Sequence, residues 1–64
     1  MQSKNHSEWR VETVMVVGRP FYRTYRILDE SLPDAEENRE YRGGYYYAIS
    51  DAQRLAATLN RDEK

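Results

Sequence analysis

The chain contains no cysteine, and its single histidine is His6. These absences exclude a disulfide framework and a cysteine-based zinc site. Long apolar runs are also missing, since the longest aliphatic run, Val14 to Val17, has four residues. A transmembrane span needs about 20 apolar residues, so neither a span nor a signal h-region is expected. We therefore expect a cytoplasmic protein without membrane contact.

The chain also has no large excess of positive or of negative charge. Ten Lys and Arg residues stand against eleven Asp and Glu residues, for a net charge of −1, which argues against a general polyanion binder. The distribution is less even than the total. Residues 10–28 carry four arginines against Glu12, whereas residues 29–40 carry six acidic residues against Arg39.

The length of 64 residues allows one domain with a thin core. A chain this short buries only about 60% of its unfolded surface. Dimerisation is one way to bury more apolar surface.

Two segments near the N-terminus have strand character. Residues 9–17, "WRVETVMVV", are rich in β-branched side chains and partly alternate in polarity, and residues 21–28, "FYRTYRIL", are predicted as a second strand. "GRP" at 18–20 predicts the turn between them, because glycine tolerates unusual φ and proline does not fit inside a central strand.

The acidic segment 29–42 contains Pro33 and predicts a long loop of uncertain order, followed by a short third strand over 45–49. An EF-hand pattern that starts at Asp29 fails, because its fifth position is Pro33 and its sixth is Asp34 instead of glycine. We therefore expect no metal site and no cofactor.

The last segment has the pattern of an amphipathic helix. Ser50 and Gln53 have the spacing of a capping box, and Asn60 suits a C-terminal left-handed position. Asp51 and Arg61 complement the helix dipole at its two ends. One apolar stripe follows the helical period: Ala52, Leu55, Ala56 and Leu59.

The predicted fold class is α+β, a three-stranded antiparallel β-meander with one C-terminal α-helix packed on one face, in the order β-β-β-α. The predicted division is a disordered tail at 1–7, a single domain at 8–61 with the acidic loop at 29–42, and a frayed C-terminus at 62–64.

The hairpin register decides which side chains share a face. A two-residue loop would set Glu12 opposite Tyr25. A three-residue loop, Gly18 to Pro20, sets Thr13 opposite Tyr25 and Glu12 opposite Arg26 as an ion pair, and we prefer it. A bulge would alter this register.

The preferred register assigns one face to the helix and leaves the other open. The predicted core face carries Trp9, Val11, Thr13, Met15, Val17, Phe21, Arg23, Tyr25, Ile27, Tyr45, Tyr47 and Ile49. The predicted open face has binding candidates of aromatic, apolar and arginine type, which are common at interfaces: Arg10, Val14, Val16, Tyr22, Arg26 and Tyr46.

Enzymatic activity is not expected. Nucleophilic catalysis needs a nucleophile with a positioned base, and the only histidine lies in the predicted tail. Ser50 has a structural role as a helix cap, and the exposed pair Glu36 and Glu37 gives no reason for shifted pKa values. No small-molecule ligand is indicated.

The frame "WRV…YRIL…NREYRGGYY…DAQRLAATLN" resembles small uncharacterised proteins of phages and integrative conjugative elements of Gram-positive gut bacteria. The strand order also resembles the DNA-binding domains at the N-termini of tyrosine integrases and AP2-like domains, whose open sheet face lies in the major groove. That second resemblance implies base-reading roles for Arg10, Arg26 and Tyr46.

The residues favour a small non-enzymatic interaction module that self-associates or binds a protein through its open sheet face or a sheet edge. The alternative is a DNA-binding domain that uses the same face. The net negative charge disfavours DNA.

Overall fold

A computed structural model describes residues 5–62. The predicted tail at 1–7 and the predicted frayed end at 62–64 lie partly outside this range. Three antiparallel strands form one sheet in the order β1-β2-β3, and one C-terminal helix follows. The predicted β-β-β-α fold is therefore confirmed. Its elements are β1 (Arg10–Val16), β2 (Arg19–Ile27), a 3₁₀ turn (Glu36–Asn38), β3 (Arg39–Tyr46) and α1 (Ile49–Asp62).

The first hairpin closes with a two-residue turn at Val17 and Gly18, whose φ angles are 50° and 77°. Val16 is paired with Arg19, so both predicted registers are wrong. Two positive φ values are typical of a type I′ turn, whose twist matches that of paired strands. Pro20 lies in β2 beyond the last residue paired with β3, where its missing N–H costs nothing.

The observed register reverses the predicted faces of β2. Thr24 is fully buried and donates a 2.8 Å hydrogen bond to the carbonyl oxygen of Ala52 in α1. Because Thr24 is paired with Val11, the even-numbered residues of β2 share the helix-covered face with the odd-numbered residues of β1. The buried apolar residues of the described chain are Trp9, Ile27, Ala52 and Ala56.

Strand β3 begins at Arg39 and ends at Tyr46, so it lies earlier than the predicted strand over 45–49. Its pairing with β2 is irregular: Tyr22 faces Tyr46 and Thr24 faces Arg42, which leaves three residues of β3 against one of β2. Gly43, with φ 78°, lies in this bulge. The insertion adds two residues, so the alternation of β3 continues unchanged beyond it.

The acidic loop is shorter than the predicted 29–42, because β3 begins at Arg39. Asn38 is buried, accepts a hydrogen bond from the backbone N–H of Asp29, and donates to the carbonyl oxygens of Asp29 and Pro33. Ser31 donates to the Asp29 carboxylate from its hydroxyl and its backbone N–H, and these bonds lower the pKa of Asp29. Local hydrogen bonds therefore fix the path of residues 29–38.

Both predicted ends of the helix are corrected. The helix starts at Ile49, so Ser50 lies in its first turn instead of at the N-cap. Asn60 lies inside the helix instead of at a left-handed C-terminal position. Its side-chain amide accepts from the backbone N–H of Trp9 at 2.7 Å and donates to the carbonyl oxygen of Trp9 at 3.1 Å. Asp51 and Arg61 occupy the first and last turns, as predicted.

The chain before β1 is hydrogen-bonded to the body of the domain. Ser7 is buried. Its backbone N–H donates to the carbonyl oxygen of Ile27 at 2.9 Å, and its hydroxyl oxygen accepts from the backbone N–H of Ile27 at 2.8 Å. Asn5 accepts a bond from the backbone N–H of Glu30. Residues 5–7 therefore differ from the predicted frayed tail.

Candidate interaction surface

The sheet has a helix-covered face and an open face, and the six predicted binding residues divide between them. Arg10, Val14 and Val16 lie on the open face, as predicted. Tyr22, Arg26 and Tyr46 lie on the helix-covered face, because the two-residue turn shifts β2 by an odd number of positions from the preferred register. Their predicted place on the open face is wrong.

Arg26 is held on the helix-covered face by a carboxylate and an aromatic ring. Its Nε lies 2.9 Å from the Glu40 carboxylate, and its guanidinium lies 4.7 Å from the Trp9 ring centroid. The predicted pair of Glu12 with Arg26 is therefore wrong. Burial raises the pKa of Glu40, but hydrogen bonds from Arg42 and Arg26 outweigh it, so the net pKa is lowered.

Tyr46 packs where the bulge meets the helix. A Cβ atom added to Gly43 would lie 2.6 Å from the Tyr46 hydroxyl oxygen and 2.8 Å from Cδ2 of Leu55. The middle tyrosine of "YYY" is thus half-buried beside α1, whereas Tyr45 and Tyr47 are 55% and 81% exposed. The predicted roles of the three tyrosines are reversed.

One end of the open face carries matched charges. Arg39 binds the two carboxylate oxygens of Asp34 at 2.8 and 3.0 Å and the Glu12 carboxylate at 2.5 Å. The hydrogen bonds with Asp34 raise the pKa of Arg39 above its usual range and lower the pKa of Asp34. Arg10 pairs with Glu30 at 3.1 Å. These cations therefore have anionic partners within the chain.

The other end of the open face is apolar and aromatic. The Phe21 ring lies 5.1 Å from the Tyr47 ring and 6.1 Å from the Tyr45 ring, measured between centroids. A depression of about 140 Å³ is lined by Val16, Phe21 and Tyr45. We call Val16, Phe21, Tyr45 and Tyr47 the aromatic patch.

Arg23 borders the aromatic patch and, unlike Arg10 and Arg39, forms no ion pair within the described residues. Its guanidinium carbon lies 3.9 Å from the Tyr41 ring centroid and 4.7 Å from that of Tyr45. Its Nε is buried and has no hydrogen-bond partner. Within residues 5–62, no carboxylate lies within 4.0 Å of this guanidinium. Arg23 is therefore a positioned cation without an anionic partner in this part of the chain.

Sequence reasoning missed Phe21, Arg23, Tyr45 and Tyr47, since it assigned all four to the core. One signal was present: Arg23 was the one charged member of the predicted core face. A register that moves Arg23 to the open face also places the small side chain of Thr24 against the alanine stripe of α1. That combination favours the observed register.

The described residues contain no group of three or more His, Asp or Glu side chains arranged to hold a metal ion. No helix in residues 5–62 is both long enough and apolar enough to cross a membrane. Comparison with protein-family models, curated proteins and solved structures finds no significant match. The resemblances inferred from sequence thus stay predictions.

Proposed function

We propose that the protein is a small non-enzymatic interaction module that binds another protein through the aromatic patch and Arg23. The observation that carries the proposal is an arginine without a carboxylate partner beside exposed aromatic rings. Tyrosine and arginine are enriched among residues that dominate binding energy at protein interfaces. An exposed apolar group bordered by polar residues is typical of such interfaces.

The chemistry of the patch defines the partner it fits. An apolar side chain would fill the depression between Val16, Phe21 and Tyr45. A carboxylate would pair with Arg23, whose side chain the tyrosine rings already hold in place. A preordered side chain loses less entropy on binding. The expected partner segment therefore combines a bulky apolar residue with an Asp or Glu.

The same geometry favours protein over DNA as the partner. Of the residues implied as base readers, Arg10 is paired with Glu30, while Arg26 and Tyr46 lie on the helix-covered face. Glu12 and Asp34 add negative charge to the open face. Phosphate binding depends on cations that are free to replace counterions.

Site-specific photocrosslinking in cells of the source organism tests the proposal. Tyr47 is replaced by p-benzoylphenylalanine, and a matched variant carries the same residue at Arg54, an exposed position on α1. We expect a discrete protein adduct from position 47 that is absent from position 54 and weakened by Arg23→Gln.

Three outcomes would contradict the proposal. Equal labelling from both positions would indicate non-specific contact. An adduct with nucleic acid would indicate the DNA-binding alternative, and an adduct of twice the chain mass would make the patch a self-association surface. A parallel NMR titration with short duplex DNA at low salt should leave the amide shifts of Arg10 and Arg23 unchanged.

A further inference from the structure

The outer edge of β1 has unpaired backbone groups. In a hairpin with a two-residue turn, the closing pair Val16 and Arg19 exchanges hydrogen bonds, and bonded pairs then alternate along the strands. The even-numbered residues of β1 therefore bond to β2, and the odd-numbered ones direct N–H and C=O outward. Within residues 5–62, no other partner bonds these groups of Val11, Thr13 and Met15.

The unpaired part of this edge is limited at both ends. At Trp9, the next outward position, the side-chain amide of Asn60 already bonds the backbone N–H and C=O. At the other end, Val17 leaves the extended conformation with φ 50°. Three outward positions remain between these limits, and Thr13 is the middle one. Between Arg10 and Val16 the strand has no proline, lysine or bulge that would protect its edge.

We propose that this edge pairs antiparallel with the same edge of a second copy, with Thr13 opposite Thr13. In this register Val11 of each copy pairs with Met15 of the other, and all three outward positions are used. If the centre of the pair moved toward Trp9, the partner strand would collide with the side chain of Asn60. If it moved toward Val17, the partner strand would meet the turn instead of an extended backbone. Centring the pair on Glu12 would also set two carboxylates opposite each other, which is destabilising.

The occupant is a second copy because the edge is complementary to itself. Its central position is an exposed threonine, and threonine pairs are favourable across antiparallel strands. Met15 is 62% exposed and would gain the Val11 side chain of the other copy as a neighbour. The two sheets would join into one sheet of six strands with both helices on one side. This inference does not rest on the aromatic patch, which lies on the open face.

Sedimentation equilibrium combined with amide hydrogen exchange over a concentration series tests the pairing. We expect the mass to rise from 7.6 kDa toward twice that value. Amide protection of Val11, Thr13 and Met15 should rise with concentration, with smaller changes at Glu12 and Val14, which already bond to β2. A monomer at concentrations up to about 1 mM would overturn the proposal.

Charge at position 13 tests the register. Thr13→Lys and Thr13→Glu each place like charges opposite each other in the dimer, and each should weaken dimerisation about fivefold or more. An equimolar mixture of the two variants should recover dimer as the mixed pair. The matched controls are Gln53→Lys and Gln53→Glu on the exposed side of α1, which should leave the dimer unchanged.

Two results would contradict this register. If both Thr13 variants still dimerise, another surface associates. The same conclusion follows if the mixture of the two variants does not recover dimer. Circular dichroism checks that each variant is folded. Photocrosslinking at Tyr47 reports on the patch separately, so either proposal can fail while the other stands.

Discussion

At the scale of single residues, adjacent glycines have different roles. Gly43 has a positive φ and leaves no room for a Cβ atom beside Tyr46 and Leu55, whereas Gly44 has nothing within 4 Å of an added Cβ. We expect Gly43→Ala to lower the free energy of unfolding by about 2 kcal/mol or more, from strain and overpacking. Gly44→Ala should change it by less than about 1 kcal/mol. Urea denaturation measures both, and equal effects would contradict this account of the bulge.

At Val17, in contrast, a substitution is expected to stabilise the fold. It is 96% exposed and has a positive φ, which is unfavourable for a β-branched residue. Asparagine is preferred at this position of a type I′ turn. We expect Val17→Asn to raise the free energy of unfolding by about 1 kcal/mol, with a smaller change for Val17→Ala, in the same urea experiment. Destabilisation by Val17→Asn would argue against the two-residue turn.

At the scale of elements, the sequence predicts the number, type and order of strands and helix but not the hairpin register. In "FYRTYRIL" the odd and the even positions each contain aromatic and aliphatic side chains and one arginine, so either face of β2 could be the core and the turn decides between them. Glycine and proline at 18–20 favour a longer turn, whereas the observed turn uses Val17, a residue that rarely takes positive φ. This one unusual conformation transfers Phe21, Arg23 and Tyr25 to the open face.

Strand β3 was misplaced for a related reason. Its first residues, Arg39 to Arg42, are charged or polar and follow an acidic segment, which is typical of a loop. In the fold, Glu40 lies opposite Arg26 and pairs with it, so charge complementarity between strands replaces apolar alternation. A single strand's composition does not reveal such a pairing.

Helix α1 is attached to the start of β1 through Asn60. Asn60→Ala would leave the N–H and C=O of Trp9 without their partner, so we expect the free energy of unfolding to fall by about 2 kcal/mol. Amide exchange of Trp9 should also accelerate. Gln53→Ala, an exposed change on the same helix, serves as the control and should stay within about 0.5 kcal/mol of the parent. Unchanged exchange at Trp9 would contradict the attachment.

At the scale of the whole molecule, ion pairs and hydrogen bonds to carboxylates make stability depend on pH. The folded state lowers the pKa values of Asp29, Asp34 and Glu40, so it binds fewer protons than the unfolded state at mildly acidic pH. Their stabilising contribution is complete above the unfolded pKa values, near 4, and is lost as pH falls through the lower folded values. We expect the melting temperature to fall between about pH 5 and pH 3.

Glu40→Gln tests the source of this pH dependence. It removes the carboxylate between Arg26 and Arg42, so the melting temperature should be lower than the parent's at neutral pH, and its further fall on acidification should be smaller. Thermal scans at pH 7 and pH 3 provide the comparison. An identical fall in parent and variant would contradict a contribution from Glu40.

The proposed dimer would present two aromatic patches on one continuous face. Val16 of one copy would lie opposite Arg10 of the other, so the two Val16 positions would be separated by about 20 Å along the strand direction, at roughly 3.4 Å per residue. Such an arrangement suits a partner with two binding segments, because linked sites raise the overall affinity.

Both proposals depend on the register of the first hairpin, which decides which side chains share a face and which backbone groups of β1 point outward. NMR distance contacts across this hairpin test the register most directly. The structure predicts strong contacts between the Hα atoms of Val11 and Thr24, and of Thr13 and Tyr22, because these are non-hydrogen-bonded pairs with close Cα atoms. Contacts of Thr13 with Tyr25 and of Val11 with Ile27 would instead indicate the three-residue turn. They would return Arg23 and Phe21 to the core and contradict the proposed interaction surface.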